Sequence, residues 1–356
     1  MRKTQLMPRR RKRHILALTI GLLVVAATCA QIAPASAQSA TTTTAKASSA
    51  AKIPSGTVLR IGDQLDYLKT VLKLSGEDKD FPYEVQYSAF VGGPPMLQAF
   101  QAGSIDSGFV GSTPLIFAQA GSQDITAAAG WATANGTYGL LTSPGNTDIK
   151  GWKDLKGKKV AFQQGTAGEA AILQALDKVG LKLSDITPVN LPITQTAAAL
   201  QSGSADAGLL VEPLTSVYLT GNPTAKEVAK ASEITDRSSF FIATKDALTD
   251  KGKSAALGDY IARLVRGFQY TSAHPDQVAQ AVYVDQYKLP LARAQEIVKQ
   301  NGGTSFVKLP GAVVKQQQKL ADLFYSAGEI PSKVDVKKEF STKYNAVVAA
   351  AGQTAK

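Results

Sequence analysis

Phe100-Gln101-Ala102-Gly103-Ser104-Ile105-Asp106-Ser107-Gly108-Phe109-Val110 recurs one hundred positions later as Leu200-Gln201-Ser202-Gly203-Ser204-Ala205-Asp206-Ala207-Gly208-Leu209-Leu210. Gln, Gly, Ser, Asp and a second Gly keep their register. Each copy reads as an apolar helix closed by Gly, which tolerates the left-handed backbone that ends a helix. A short apolar strand follows. One helix-Gly-strand unit used twice at wide separation predicts two similar lobes.

Around each copy, strands alternate with helices, the pattern of an α/β lobe. Upstream of the first copy, Val58-Leu59-Arg60-Ile61-Gly62 and Tyr83-Glu84-Val85-Gln86-Tyr87 read as strands. Asp63-Gln64-Leu65 reads as the turn between the first strand and a helix, and Gly92-Gly93-Pro94-Pro95 as a loop before the next. Lys159-Val160-Ala161-Phe162 and Thr187-Pro188-Val189-Asn190-Leu191 play the same part before the second copy. Beyond Phe240-Phe241-Ile242-Ala243 the chain is mostly helical; Leu257, Tyr260, Ile261, Leu264, Val265 and Phe268 mark one apolar face.

The first residues read as an address. Seven Lys/Arg and no acid lie within residues 1–13, an apolar run extends from Ile15 to Ala30, and Ala35-Ser36-Ala37 offers a small-x-small cleavage site. That order predicts a secretory signal peptide over residues 1–37. The apolar run is short for a bilayer span. A lipid anchor at Cys29 ranks second, because Thr28 is a poor neighbour for lipid attachment. Residues 38–55 are rich in Ala, Ser, Thr and Lys and read as a disordered linker.

Removing that leader changes the charge. The whole chain has 39 Lys+Arg, 28 Asp+Glu and a net charge of +11; without the seven leader cations, 32 face 28, about +4. The basic surface that would point to nucleic acid is then gone. The remaining chain has no Cys and one His, His274, which stands before Pro275 as a helix start. Disulfides, thiolate nucleophiles and Cys/His metal clusters are excluded. There is no G-x-S-x-G and no metal motif, so no catalytic residue, metal or cofactor is assigned and the chain is expected not to be an enzyme.

Two loops end a strand and begin a helix: Gly111-Ser112-Thr113-Pro114, with Thr113 placed as N-cap, and Gln164-Gly165-Thr166-Ala167-Gly168. Helix starts present unpaired N–H groups and partial positive charge. Two such starts facing one cleft would hold an anion without Lys or Arg; N-capping without a ligand is the other reading of each. Glu212 occupies the place of Thr113 in the second lobe, as a capping carboxylate or as an acceptor for a ligand amine or hydroxyl. Arg237 could pair with an anion or be a solvated surface group. Trp131 and Tyr138 could line the cleft or belong to the core.

Several stretches resemble the aliphatic-sulfonate-binding proteins of ATP-binding-cassette importers. They are Phe90-Val91-Gly92-Gly93-Pro94-Pro95-Met96-Leu97-Gln98-Ala99-Phe100, Pro114-Leu115-Ile116-Phe117-Ala118-Gln119-Ala120, Asp154-Leu155-Lys156-Gly157-Lys158-Lys159-Val160-Ala161-Phe162-Gln163 and Pro331-Ser332-Lys333-Val334-Asp335. The resemblance spans roughly residues 57–340 and is shared by taurine, nitrate and pyrimidine-precursor binders. It implies a two-lobed, type II periplasmic-binding fold with C-terminal helices and two hinge crossings, placed near Leu140-Leu141-Thr142 and Phe240-Phe241-Ile242. The expected organisation is residues 56–141 for the first part of lobe 1, 142–240 for lobe 2, 241–345 for the second part of lobe 1 with the C-terminal helices, and a flexible tail over 346–356. The ligand-binding set is Gln64, Gly93, Gly111, Ser112, Thr113, Trp131, Gln164, Gly165, Thr166, Glu212 and Arg237. One departure stands out: Val211-Glu212-Pro213 replaces the aromatic-Asp-Pro common in the family.

The expected protein is a monomeric periplasmic receptor for a small organic anion, an alkanesulfonate or a taurine-like compound, that delivers it to an inner-membrane permease. A nitrate, pyrimidine-precursor or aromatic-acid binder and a two-lobed enzyme of tetrapyrrole or prephenate type are the alternatives.

Overall fold

The computed structural model describes residues 52–133, 138–230 and 238–353. The predicted leader, Cys29, most of the linker and Arg237 lie outside the described residues. Of the linker, residues 52–55 are described, and Ile53 packs against the core.

In chain order the first lobe begins β1 (Val58–Gln64), α1 (Tyr67–Ser75), β2 (Glu84–Phe90), α2 (Gly93–Gln101), β3 (Ser107–Gly111), α3 (Ser112–Ala120), β4 (Ile125–Thr133). The second lobe is β5 (Tyr138–Thr142), β6 (Lys159–Phe162), α4 (Ala167–Lys178), β7 (Thr187–Asn190), α5 (Ile193–Gln201), β8 (Ala207–Val211), α6 (Leu214–Gly221), β9 (Glu227–Lys230). The chain then returns through β10 (Ser238–Thr244), α7 (Lys245–Thr249), α8 (Lys251–Ala273), α9 (Pro275–Val278), α10 (Leu291–Asn301), β11 (Thr304–Val307), α11 (Val313–Ser326) and α12 (Asn345–Gln353).

Two sheets result, with orders β11-β4-β10-β3-β1-β2 and β7-β6-β8-β5-β9. Reversing the second list aligns them: β2 with β7, β1 with β6, β3 with β8, β10 with β5 and β4 with β9. In each lobe three βα strands run parallel, with β2 or β7 at the sheet edge, while the strand entering from the other lobe, β10 or β5, is antiparallel to its neighbours.

The repeated unit explains itself in these sheets. Gly103 and Gly203 have φ of 64° and 71° and end α2 and α5, the conformation that costs any other residue a clash. Gly108 and Gly208 leave no room for a side chain. A Cβ on Gly108 would stand 2.8 Å from both Gly62 O and Met96 Sδ, and one on Gly208 2.8 Å from Thr196 Cγ2. Asp106 accepts from Arg60 N–H at 3.0 Å, while its own N–H donates to Arg60 O at 2.8 Å. Asp206 repeats both bonds with Lys159, each at 2.8 Å. The repeat is therefore a device that ties the helix–strand unit to the preceding strand.

Sheet membership corrects the expected boundaries. Leu140-Leu141-Thr142 lies wholly within the second sheet, and Phe240 pairs with Val110 and Gly130 inside the first. The chain changes lobe between Thr133 and Tyr138 and returns between Lys230 and Ser238, a few residues before both expected crossings. The expected flexible tail is also corrected: α12 runs to Gln353, with Val347 and Val348 packed on the first-lobe core. An amphipathic helix with a core to cover has no reason to remain loose.

Each sheet is covered on both faces. Leu59, Ile61, Phe241, Tyr260 and Phe268 form one first-lobe core, and Met96, Ile105, Val110 and Phe240 the other. Val160, Phe162, Ile172 and Leu209 pack on one face of the second sheet, Leu141, Leu200 and Leu210 on the other. A further apolar cluster crosses between lobes: Ile116 of α3, Ala170 and Leu173 of α4, and Leu320 and Phe324 of α11.

Candidate functional site

At the C-terminal ends of the central strands of both sheets, a cavity of about 370 Å³ opens between the lobes. This is where open α/β sheets place their ligands, because the chain turns away from the strand ends there. A larger hollow of about 750 Å³ lies among α8, β11 and α12. It belongs to one lobe, and none of the expected binding residues lines it.

Two helix starts reach the inter-lobe cavity. Gly111, the residue before α3, and Ala167, the first residue of α4, both line it. The first-turn N–H groups of a helix have no partner inside the helix, and the dipole makes that end favourable for negative charge. Gln64, Trp131 and Glu212 line the same space. Gln64 donates through Nε2 to Phe109 O at 2.6 Å, which orients its amide.

Other expected residues stand elsewhere. Gly93 abuts Pro114: a Cβ there would be 2.3 Å from Pro114 Cγ, so this glycine serves packing of α2 on α3. Thr113 is not an N-cap. Strand β3 runs directly into α3 with Gly111 at the cap position, and the Thr113 hydroxyl is buried without a partner. Ser112 is likewise buried in the first turn, and its carbonyl accepts from Gln317 Nε2 at 2.9 Å. None of these three lines the cavity. Gln164 is exposed and donates to Glu329 Oε2 at 2.7 Å, while its N–H donates to Asn190 Oδ1 at 3.0 Å. The Gly165 N–H donates to Glu169 Oε2 at 2.7 Å. Thr166 is the N-cap of α4: its hydroxyl accepts from Gly168 N–H and donates to Gln163 O. The residues flanking the second helix start are thus occupied with building the loop, and the helix start itself faces the cavity.

Buried acids stand behind both helix starts. Burial pushes Glu169 up to about 8. Glu339, which accepts from Gln317 Nε2 at 2.8 Å behind α3, is pushed up to about 8 by the same cause. Asp63, expected in a turn, is instead part of β1 and buried; it accepts from the N–H groups of Leu68 and Lys69 at the start of α1. Burial raises it to about 6. The chain bends sharply after it, with Leu65 and Asp66 both at φ of 55°, and Leu65 lines the cavity.

The remaining wall comes from residues that the sequence did not single out. Tyr67 and Thr70 of α1, Phe109 of β3, and Tyr283, Gln286 and Tyr287 of the segment after α9 all line the space. Asn301 Nδ2 donates to the Tyr283 hydroxyl at 3.1 Å. Tyr138, which the sequence did offer for the cleft, lines it from the second lobe, against the first turn of α4. Among the described residues, no Lys or Arg lines the cavity and Glu212 is its one carboxylate. Glu212 is not free: it accepts from Arg293 Nη2 at 3.2 Å and from the Ser216 hydroxyl at 2.8 and 3.0 Å. Arg293 lies on α10 of the first lobe, so this ion pair bridges the lobes. Gly165 approaches Pro94 on another flank, where a Cβ would be 3.3 Å from Pro94 Cγ. Among the described residues, no cluster of His, Cys, Asp and Glu is arranged to hold a metal ion, and no helix is long and apolar enough to cross a membrane.

A two-lobed α/β body with its cavity at the crossing invites comparison with known proteins. The NMT1/THI5 like family model matches residues 84–278. The putative aliphatic sulfonates-binding protein of Escherichia coli K12 is 30% identical over 283 residues, covering 79% of this chain and 87% of that protein. The chain belongs to the aliphatic-sulfonate-binding protein family. Among solved structures, the alkanesulfonate-binding protein SsuA from Xanthomonas axonopodis pv. citri, bound to MOPS, superposes with a TM-score of 0.72 at 28% identity, over 82% of this chain and 99% of that one. The periplasmic aliphatic sulphonate binding protein SsuA from Escherichia coli gives 0.69 at 30% identity, over 81% and 92%. Membership of this family accounts for the duplicated lobes and for a cavity at the lobe boundary.

Proposed function

We propose that this chain is the extracytoplasmic receptor of an ATP-binding-cassette importer and that it holds an organic sulfonate between its lobes. The observation that carries this reading is the cavity onto which the starts of α3 and α4 both open, at Gly111 and Ala167, one from each lobe. A sulfonate is a fixed, pH-independent anion with three acceptor oxygens. Two helix starts supply N–H donors and favourable dipoles from opposite sides. The related proteins named above bind sulfonates, which supports the same head group here.

Closing of the two lobes on a ligand is the step that a permease would sense. Closure is favoured by any ligand whose contacts are complete only when both lobes meet. Micromolar binding requires about 8 kcal/mol, within reach of several charge-assisted bonds in a site shielded from water. Glu212 would suit an amine-bearing sulfonate such as taurine. Its engagement by Arg293 and Ser216 favours instead a sulfonate without an amine.

Calorimetric titration with ethanesulfonate, hexanesulfonate, taurine, nitrate and sulfate tests the reading. The expected result is saturable micromolar binding of alkanesulfonates and weaker binding of taurine. No heat from any sulfonate overturns it.

A further inference from the structure

The cavity is larger and more aromatic than a short sulfonate needs. Tyr67, Phe109 and Tyr287 of the first lobe face it half-buried, and Tyr138 faces it from the second lobe. Two of these rings are held in place by others. Tyr67 and Phe109 meet at a tilt of 49° with centroids 5.7 Å apart, Phe109 meets Trp131 at 5.8 Å, and Trp131 is fixed in the core against Phe268 at 5.2 Å. A wall of oriented rings continuous with the core cannot collapse onto a thin ligand. It offers edges and faces to a flat guest.

Polarity is divided just as clearly. The Tyr138 hydroxyl has no hydrogen-bond partner among the described residues, and its ring packs over the first turn of α4. A free donor thus stands beside the helix start that lines the cavity at Ala167. The rings of the first-lobe wall stand among neutral polar groups such as Gln64, Thr70 and Gln286, and among the described residues no cation lines the site that could accept a second negative charge. One anionic head and one flat apolar body fit this division. A volume of about 370 Å³ is at the small end of pockets that enclose ring-bearing ligands.

We propose that the cavity is shaped for an aryl sulfonate, its single anionic head at the helix starts beside Tyr138 and its ring against Tyr67, Phe109 and Tyr287, in preference to a linear alkyl chain. This rests on the sulfonate reading given above and narrows it.

The test is a calorimetric comparison of benzenesulfonate, hexanesulfonate and 4-sulfobenzoate. Phenyl and hexyl carry the same number of carbons, and hexyl is the more apolar, so bulk hydrophobicity alone favours hexanesulfonate. Benzenesulfonate is expected to bind about fivefold tighter than hexanesulfonate, the size of effect that ring–ring contacts add beyond burial. 4-Sulfobenzoate, with its second charge, is expected to bind at least about tenfold more weakly than benzenesulfonate. Tyr287→Leu, a substitution at a half-buried wall position, is expected to bring the phenyl-to-hexyl ratio toward one. Hexanesulfonate binding as tightly as benzenesulfonate, or tighter, overturns the proposal and leaves the sulfonate receptor standing. So does a phenyl-to-hexyl ratio that Tyr287→Leu leaves unchanged, or 4-sulfobenzoate binding as tightly as benzenesulfonate. Neither sulfonate binding overturns both.

Discussion

Asp106 and Asp206 make the same backbone bonds in the two lobes, yet they live in different electrostatic settings. Asp106 also meets Arg60 Nη2 at 2.6 Å and Lys253 Nζ at 2.7 Å, with its side chain only 4% exposed. The two cations hold it below the usual carboxylate range against the opposing pull of burial, which is the largest single influence on it. Among the described residues, the Asp206 carboxylate accepts only from the Lys159 N–H. The shared bonds are what the fold requires, since they recur. The Lys253 pair ties α8, which follows the chain's return from the second lobe, to the strand unit of the first, and the Arg60 pair adds a side-chain link to β1. The first lobe is assembled from two distant stretches of chain and needs that tie; the second is continuous and does without it.

The sharpest way to break the equivalence is at the second glycine of each repeat. Gly108→Ala is expected to cost about 3 kcal/mol, because the methyl group meets the fixed backbone oxygen of Gly62 as well as Met96. Gly208→Ala, opposed by the Thr196 methyl and the Ala161 Cβ, is expected to cost about 1.5 kcal/mol. Denaturant melts of the two variants compare these directly. Equal losses would mean that the two helix–strand packings are alike. Next, Asp106→Asn is expected to destabilise by about 2 kcal/mol and Asp206→Asn by about 1 kcal/mol or less, since only the first loses partly shielded ion pairs. Equal losses from the two substitutions would contradict the electrostatic account.

A smaller effect separates binding from folding. Arg293→Ala leaves Glu212 as an unpaired carboxylate at the cavity. It is expected to weaken sulfonate binding by about tenfold, roughly 1.4 kcal/mol, while shifting the ligand-free stability by about 0.5 kcal/mol or less, because the pair is partly exposed. Titration and melting of the same sample measure the two effects. The least of the four is a slope. Glu169 in the second lobe and Glu339 in the first are both raised to about 8 by burial. The folded protein therefore keeps protons that the unfolded chain releases near pH 4.5. Their contribution to stability is full below that pH and is lost as pH rises through about 8. Glu169→Gln should therefore make the fall in Tm between pH 5 and pH 9 shallower, measured by thermal scans across that range.

Much of this fold is legible in the sequence because the repeat encodes backbone geometry. A left-handed Gly, a strand-pinning Asp and a Gly too crowded for a side chain are local demands that leave local marks. The lobe crossings are less legible. Leu140-Leu141 and Phe240-Phe241 look the same whichever sheet they join, and the choice depends on strands far away in the chain. Thr113 was expected to cap α3, but β3 continues without a break into the helix at Gly111, so no cap site exists for it. The α4 loop shows its character in its Gly and Thr residues, yet sequence cannot say that Glu169 and Glu329 already occupy the Gly165 N–H and the Gln164 amide. Tyr67, Tyr287 and Arg293 escaped notice because α1 and the helices around α10 meet the strand ends only in three dimensions. Their local patterns are those of ordinary surface helices.

A crystal structure with bound hexanesulfonate tests the central claim most directly. The account predicts sulfonate oxygens within hydrogen-bond distance of the backbone at the starts of both α3 and α4, beside Gly111 and Ala167. A sulfonate held by only one lobe, or placed on Arg293 or in the hollow beside α12, would contradict it.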